Sequence, residues 1–186
     1  MNDPGRQMRV LVVGLGNSVL RDDAVGVRLA RDFRRRWEDR PAPGILPGEI
    51  PHDDARSGGE GDVHFIEECS VGGLTLVEQL VGYDRVVILD SIRTRDGRPG
   101  DWCSFTASAL RPTMNLSSVH DANFATALEL GRRTGLALPP DERIVIFAVE
   151  VQDTLTFDER MSNALEHSYP EYSEAIFAEV GLLLES

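Results

Sequence analysis

Met8-Arg9-Val10-Leu11-Val12-Val13-Gly14-Leu15-Gly16-Asn17 is the stretch that decides the architecture. Met8 to Val13 is a short, apolar, β-branched run that stops at Gly14. After a loop it gives way to Ala24 to Trp37, where Leu29, Phe33 and Trp37 recur every four residues. A strand, a loop and an amphipathic helix are predicted in that order. Outward from this unit, Val63 to Ile66 predicts a second strand, Gly73 to Val81 a short helix, and Arg85 to Leu89 a third strand buried on both faces.

The turn signals Asp96-Gly97 and Pro99-Gly100 lead into the half-alternating Trp102 to Thr106, a hairpin-like return to an edge strand. A helix is expected from about Val119 or Asp121 to Thr134, stopped by Gly135. Arg143 to Val149 predicts a further buried strand, and Asp158 to Leu184 a final helix interrupted near Pro170. Strands alternating with helices give a single α/β domain over residues 1–186. Its expected form is a three-layer α/β/α sandwich around a mostly parallel, about five-stranded sheet with one antiparallel edge strand. Residues 40–62 are rich in Gly, Pro and acidic side chains and poor in large apolar ones, and predict a flexible insertion.

Charge narrows the function. Against 31 Asp and Glu stand 19 cations, a formal net charge of −12, which repels a phosphate backbone. No nucleic-acid partner is expected. All 19 cations are Arg, so P-loop lysine, Schiff-base and Ser–Lys chemistries are excluded. The dense group Arg28, Arg31, Arg34, Arg35 and Arg36 reads either as the solvated face of the first helix or as a docking surface for an acidic partner. No apolar run approaches the roughly 18 residues of a membrane span, so no membrane partner is expected. Polar residues Met1 to Met8 and the absence of a secretory pattern point to the cytoplasm. Cys69 and Cys103 are too few for a disulfide framework or a thiolate zinc site.

The chemistry concentrates where the strands end. Gly14-Leu15-Gly16-Asn17 is followed by Asp22-Asp23 and Gly26. A dinucleotide fingerprint needs a third glycine where Val19 stands, and two carboxylates occupy the place a pyrophosphate would take. Asp22 or Asp23 could equally cap the first helix. Asp90 follows the apolar Arg85 to Leu89 run, where a strand-end Asp points into the crevice above the sheet or closes a loop turn. His120 lies within Ser118-Val119-His120-Asp121, a capping-box pattern that places it in the first helical turn. Asp23, Asp90 and His120 thus come from three connections at one edge of the sheet. They suit either a divalent metal site with open positions or a metal-free acid–base cluster. His52, His64 and His167 read as structural or solvated. Ser70 and Ser91 show no triad pairing, and Cys69 is a weak nucleophile candidate.

The same residues resemble the maturation endopeptidases of nickel–iron hydrogenases. That family opens on a strand and a Gly-x-Gly-Asn turn followed by paired acids and a glycine, as Gly14 to Asn17, Asp22-Asp23 and Gly26 do here. It continues with an Asp closing the third strand (Ile88-Leu89-Asp90) and a His after a polar loop (Ser118-Val119-His120). Phe147-Ala148-Val149-Glu150 and Thr154-Leu155-Thr156 are also similar, and the likeness runs from Met8 to about Val180 outside the insertion. Two positions differ: Glu68-Cys69-Ser70-Val71 stand before Gly72-Gly73 where members often carry Asp-Gly-Gly-Thr, and Asp23 stands where some members have Glu.

The resemblance implies an aspartic-type endopeptidase that removes the C-terminal extension of a hydrogenase large-subunit precursor once nickel is in place. Asp23, Asp90 and His120 would be both its nickel-binding and its catalytic residues. Nickel would come with the precursor, no organic cofactor is needed, and a monomer is the expected state. An oxygen-rich donor set holds nickel loosely, which suits a checkpoint that must release its substrate. There is no His-Glu-x-x-His helix of the common zinc proteases. Two rivals remain: a non-catalytic nickel-sensing or chaperone-like binder using the same three residues, and a small-ligand-binding doubly wound domain built on Gly14 and Gly16.

Overall fold

The computed structural model describes residues 6–40, 62–110 and 119–185, with the side chains of 119–123 and of residue 185 outside the description. The insertion expected at 40–62 falls almost wholly on 41–61, outside the described residues.

Among the described residues five strands form one sheet: β1 (Arg9–Leu15), β2 (Asp62–Cys69), β3 (Arg85–Ile92), β4 (Trp102–Thr106) and β5 (Ile144–Glu150). Their order is β2-β1-β3-β5-β4. The β1–β2, β1–β3 and β3–β5 pairs are parallel, and β4 runs antiparallel to β5 at the edge. Among the described residues four α-helices cover the sheet: α1 (Val25–Glu38), α2 (Gly73–Gln79), α3 (Val119–Arg133) and α4 (Asn163–Glu185).

Side-chain alternation along the strands assigns the layers. Val10 and Val12, Val87 and Leu89, and Phe147 and Val149 pack with Leu29 and Phe33 of α1 and with Leu165, Ile176 and Val180 of α4. Their neighbours Leu11 and Val13, Val86 and Ile88, and Ile144 and Ile146 pack with Leu76 and Val77 of α2 and with Phe124 and Leu128 of α3. The central strands are apolar on both faces because both faces are covered. The three-layer architecture is the one expected.

Four details differ from the sequence expectation. The Asp96 to Gly100 turns do not close a hairpin, because β5 lies between β3 and β4. The strand apolar on both faces takes the interior, and half-exposed β4 takes the edge. β3 continues past Leu89 to Ile92, since Asp90, Ser91 and Ile92 still pair with Ala148, Val149 and Glu150. The last helix begins at Asn163, not Asp158, because Asp158 to Ser162 are held as a loop. It also runs unbroken through Pro170, since Leu165, Tyr169, Tyr172, Ile176, Phe177, Val180 and Leu184 are buried along its length and hold both halves on the core.

The arginine face of α1 is neither bare nor merely solvated. Arg28 meets Glu166 (2.7 Å), Arg31 meets Glu68 (2.8 Å), Arg34 meets Glu67 (2.9 Å), Arg35 meets Asp32 (3.6 Å) and Arg36 meets Glu174 (2.6 Å). The Arg31 and Arg34 pairs tie α1 to edge strand β2 on one side, the Arg28 and Arg36 pairs tie it to α4 on the other, and the Arg35 pair stays within α1.

Candidate active site

The Gly14 to Asn17 turn closes against α1 because its glycines allow contacts no side chain would. A Cβ on Gly26 would lie 2.3 Å from the carbonyl oxygens of Leu15 and Leu89, so glycine lets α1 start directly on β1 and β3. Gly16, at φ +128°, would put a Cβ 2.0 Å from the Asp23 carbonyl oxygen. Here β1 also slips register, pairing Leu15 with Cys69, and the Gly16 N–H donates to the Cys69 carbonyl (3.1 Å).

The paired acids that follow have separate tasks, and neither caps α1, whose N-cap is Ala24 with no side-chain hydrogen bond. Asp22 is fully buried. Its carboxylate accepts the backbone N–H groups of Gln152 (3.3 Å), Asp153 (3.1 Å) and Ser162 (2.6 Å), clamping the loop between β5 and α4. Asp23 turns the other way and lines a cleft. Asn17 N–H donates to its Oδ2 (2.8 Å) and Ser91 Oγ–H to its Oδ1 (3.2 Å).

That cleft has a volume of about 460 Å³ and lies beyond the carboxyl ends of the parallel strands, where open α/β sheets bind ligands. Asp90 lines it with Asp23, and Asp90 Oδ1 accepts the Ser91 N–H (2.7 Å). Ser91 therefore sits between the two carboxylates. Leu76, Ile88 and Ile146 supply an apolar floor, while Asn17, Ser70, Arg93 and Thr154 add polar groups. His120 is the second residue of α3, four positions ahead of Phe124, which also lines the cleft. The His120 side chain lies outside the described residues, as does the Ser118 of its expected capping box.

Of the sequence candidates, Asp23 and Asp90 are brought together and Asp22 is not. His64 is structural: Nδ1 meets the Tyr83 hydroxyl and Nε2 the Asp62 carboxylate, each at 2.8 Å. His52 is outside the described residues. Ser91, Asn17, Arg93 and Thr154 were not singled out for the site by sequence. Asn17 and Thr154 stood in the Gly-Leu-Gly-Asn and Thr-Leu-Thr segments, Ser91 follows Asp90 on a strand whose end faces the crevice, and Arg93 carried no signal.

No family model matches the chain. It is 27% identical over 129 residues to the hydrogenase 2 maturation protease of Escherichia coli (strain K12), a match spanning 69% of this chain and 66%, just under two thirds, of that protein. Among solved structures, the hydrogenase maturating endopeptidase HybD of E. coli superposes with a TM-score of 0.63 at 22% identity, covering 93% of this chain and 92% of that one. The [NiFe] hydrogenase maturation protease HybD of Thermococcus kodakarensis does so at 0.60 and 18%, covering 92% and 99%. The relatives it resembles are hydrogenase maturation proteases, and the chain shares the fold of the solved ones.

Within that family's fold, the residues that replace the common Asp-Gly-Gly-Thr have visible tasks. Glu68 Oε1 accepts the Ser18 N–H (3.1 Å) and hydroxyl (2.9 Å), while Oε2 pairs with Arg31. The Ser18 backbone bond above all holds the Glu68 carboxyl below its ordinary pKa. Ser70 Oγ–H donates to the Gly16 carbonyl (3.0 Å), and Cys69 is buried against the cleft. In this chain the segment fastens the Gly-Leu-Gly-Asn turn to β2. Among the described residues no helix is long and apolar enough to cross a membrane.

Proposed function

We propose that this chain is the endopeptidase that trims the C-terminal extension from a nickel-loaded hydrogenase large-subunit precursor. The nickel already seated in the precursor would be the recognition anchor. The observation that carries the reading is the pairing of Asp23 and Asp90 in one cleft, from separate connections, with Ser91 between them. A carboxylate offers about four acceptor sites across its two oxygens. Asn17 and Ser91 occupy one on each oxygen of Asp23, which fixes its orientation and leaves lone pairs for a cation or for a proton from water. His120, about one helical turn ahead of cleft-lining Phe124, would add an imidazole nitrogen, a common transition-metal donor.

In this reading the apolar floor and the polar edge divide the work. Leu76, Ile88 and Ile146 exclude water below the extended tail, and Arg93 and Thr154 offer donors to its backbone. Asp23 and Asp90 hold the metal-bearing end of the precursor and can take a proton from the water that cleaves the peptide. The test is incubation of the purified chain with precursor, with and without nickel, followed by mass spectrometry. A nickel-dependent mass loss at the precursor C-terminus is expected. Binding of the nickel-loaded form without any mass loss would instead establish the non-catalytic sensor, and nucleotide binding with indifference to nickel the small-ligand domain.

A further inference from the structure

The loop between β5 and α4 carries the two most exposed large apolar side chains among the described residues, Leu155 (78%) and Phe157 (83%). Their exposure does not come from a loose backbone. Asp22 holds the loop at Gln152, Asp153 and Ser162, and Asp153 Oδ1 accepts the N–H groups of Leu155 (3.2 Å) and Thr156 (3.0 Å). On the far side, Arg21 N–H donates to the Asp158 carbonyl (2.9 Å) and Asp158 N–H to the Val19 carbonyl (3.2 Å). Leu20 bridges to Phe157 and Asp158, and half-exposed Val19 extends the apolar patch. A slack loop could tuck such side chains inward. This one is fastened so that they stay in solvent.

The same two segments reach the cleft, which Leu20 and Thr154 line. We infer that Val19, Leu155 and Phe157 form a preorganised docking surface at the cleft mouth for the folded body of the precursor protein. The inference rests on the endopeptidase reading, because a tail lying in the cleft belongs to a body that must rest beside it. Rigid apolar anchors lose little freedom on binding, and a few of them commonly dominate the affinity of an interface. A lipid surface is a poor occupant: the chain carries a net charge of −12, and Asp158 and Glu159 adjoin the patch. The partner chemistry that fits is an apolar hollow on a protein surface next to the base of its C-terminal tail.

The experiment compares the full-length chain with a Leu155→Ser/Phe157→Ser variant and a Leu155→Met/Phe157→Leu control. The probe is nickel-loaded large-subunit precursor, read by direct binding and by cleavage. The serine variant should raise the Kd at least about tenfold, leave the cleavage rate at saturating precursor and the Tm near wild type, and be rescued by the control. If wild type binds, the serine variant does not and neither cleaves, docking stands and the endopeptidase reading falls. An unchanged Kd overturns the inference, as does a wild-type chain that does not bind precursor. A wild-type dimer that the serine variant converts to monomer at unchanged precursor affinity would assign the face to a second copy, and also overturns it.

Discussion

Replacing Asp22 by alanine should destabilise the protein through a loop that lies far away in sequence. The carboxylate is fully buried and accepts three backbone N–H groups, from Gln152, Asp153 and Ser162. Truncation leaves each donor without its partner, at about 1–3 kcal/mol apiece, so Asp22→Ala should cost at least about 3 kcal/mol. Asp22→Asn keeps one acceptor oxygen. It can serve the Gln152 and Asp153 pair while its NH2 faces the Ser162 N–H, and the cost should fall to about half. Urea unfolding of the three proteins, followed by circular dichroism at fixed m-value, measures this directly. Cleavage by the asparagine variant, normalised to folded protein, should remain. An alanine variant within about 0.5 kcal/mol of wild type would show that water replaces the carboxylate, and would refute the clamp.

Other outcomes follow from the same geometry. His120→Ala should abolish precursor processing while the Tm stays near wild type, and His120→Gln should not rescue it, because an amide is a poor transition-metal donor; normal processing by folded His120→Ala would remove the residue from the site. Gly26→Ala should cost about 3 kcal/mol by thermal unfolding, because its Cβ meets two backbone carbonyls of the sheet rather than yielding side chains. Asp153 is pulled down to about 2, above all by its bonds from Thr156. Its contribution to loop stability should therefore be complete above the ordinary value of 3.8 and disappear as pH falls towards about 2. Amide exchange at Leu155 and Thr156 should accelerate in that window, and Asp153→Asn should remove the pH dependence.

The architecture was legible because it depends on periodicity. Runs such as Arg85 to Leu89 and Arg143 to Val149 are apolar on consecutive positions, and only a sheet covered on both faces accommodates that. Strand order was less accessible: a turn-rich Arg93 to Gly100 suggests a hairpin, and only the competition between β4 and β5 for the interior decides otherwise. Asp90 was found because an acid at the end of a buried strand is conspicuous. Asp22 and Asp23 could not be told apart, since adjacent side chains of one type differ only in what the rest of the chain brings to them. Beside nearby Asn17, Asp23 is held by Ser91, and the partners of Asp22 lie beyond Val151, separations that no local pattern encodes. Pro170 misled for a related reason, since the helix-breaking tendency of proline is local and the burial that overrides it is not.

The fastening of Asp22 also bears on when the protein becomes competent. Its partners at Gln152 and Ser162 are 130 and 140 residues downstream. Closing loops of that length comes late relative to local helix and strand formation. During synthesis the Gly-Leu-Gly-Asn turn leaves the ribosome early, but the acid next to Asp23 has nothing to hold until almost the whole chain has followed. A nascent or truncated chain ending before Gln152 therefore has both carboxylates of the cleft in its sequence but none of the partners that fasten the acid beside the first of them.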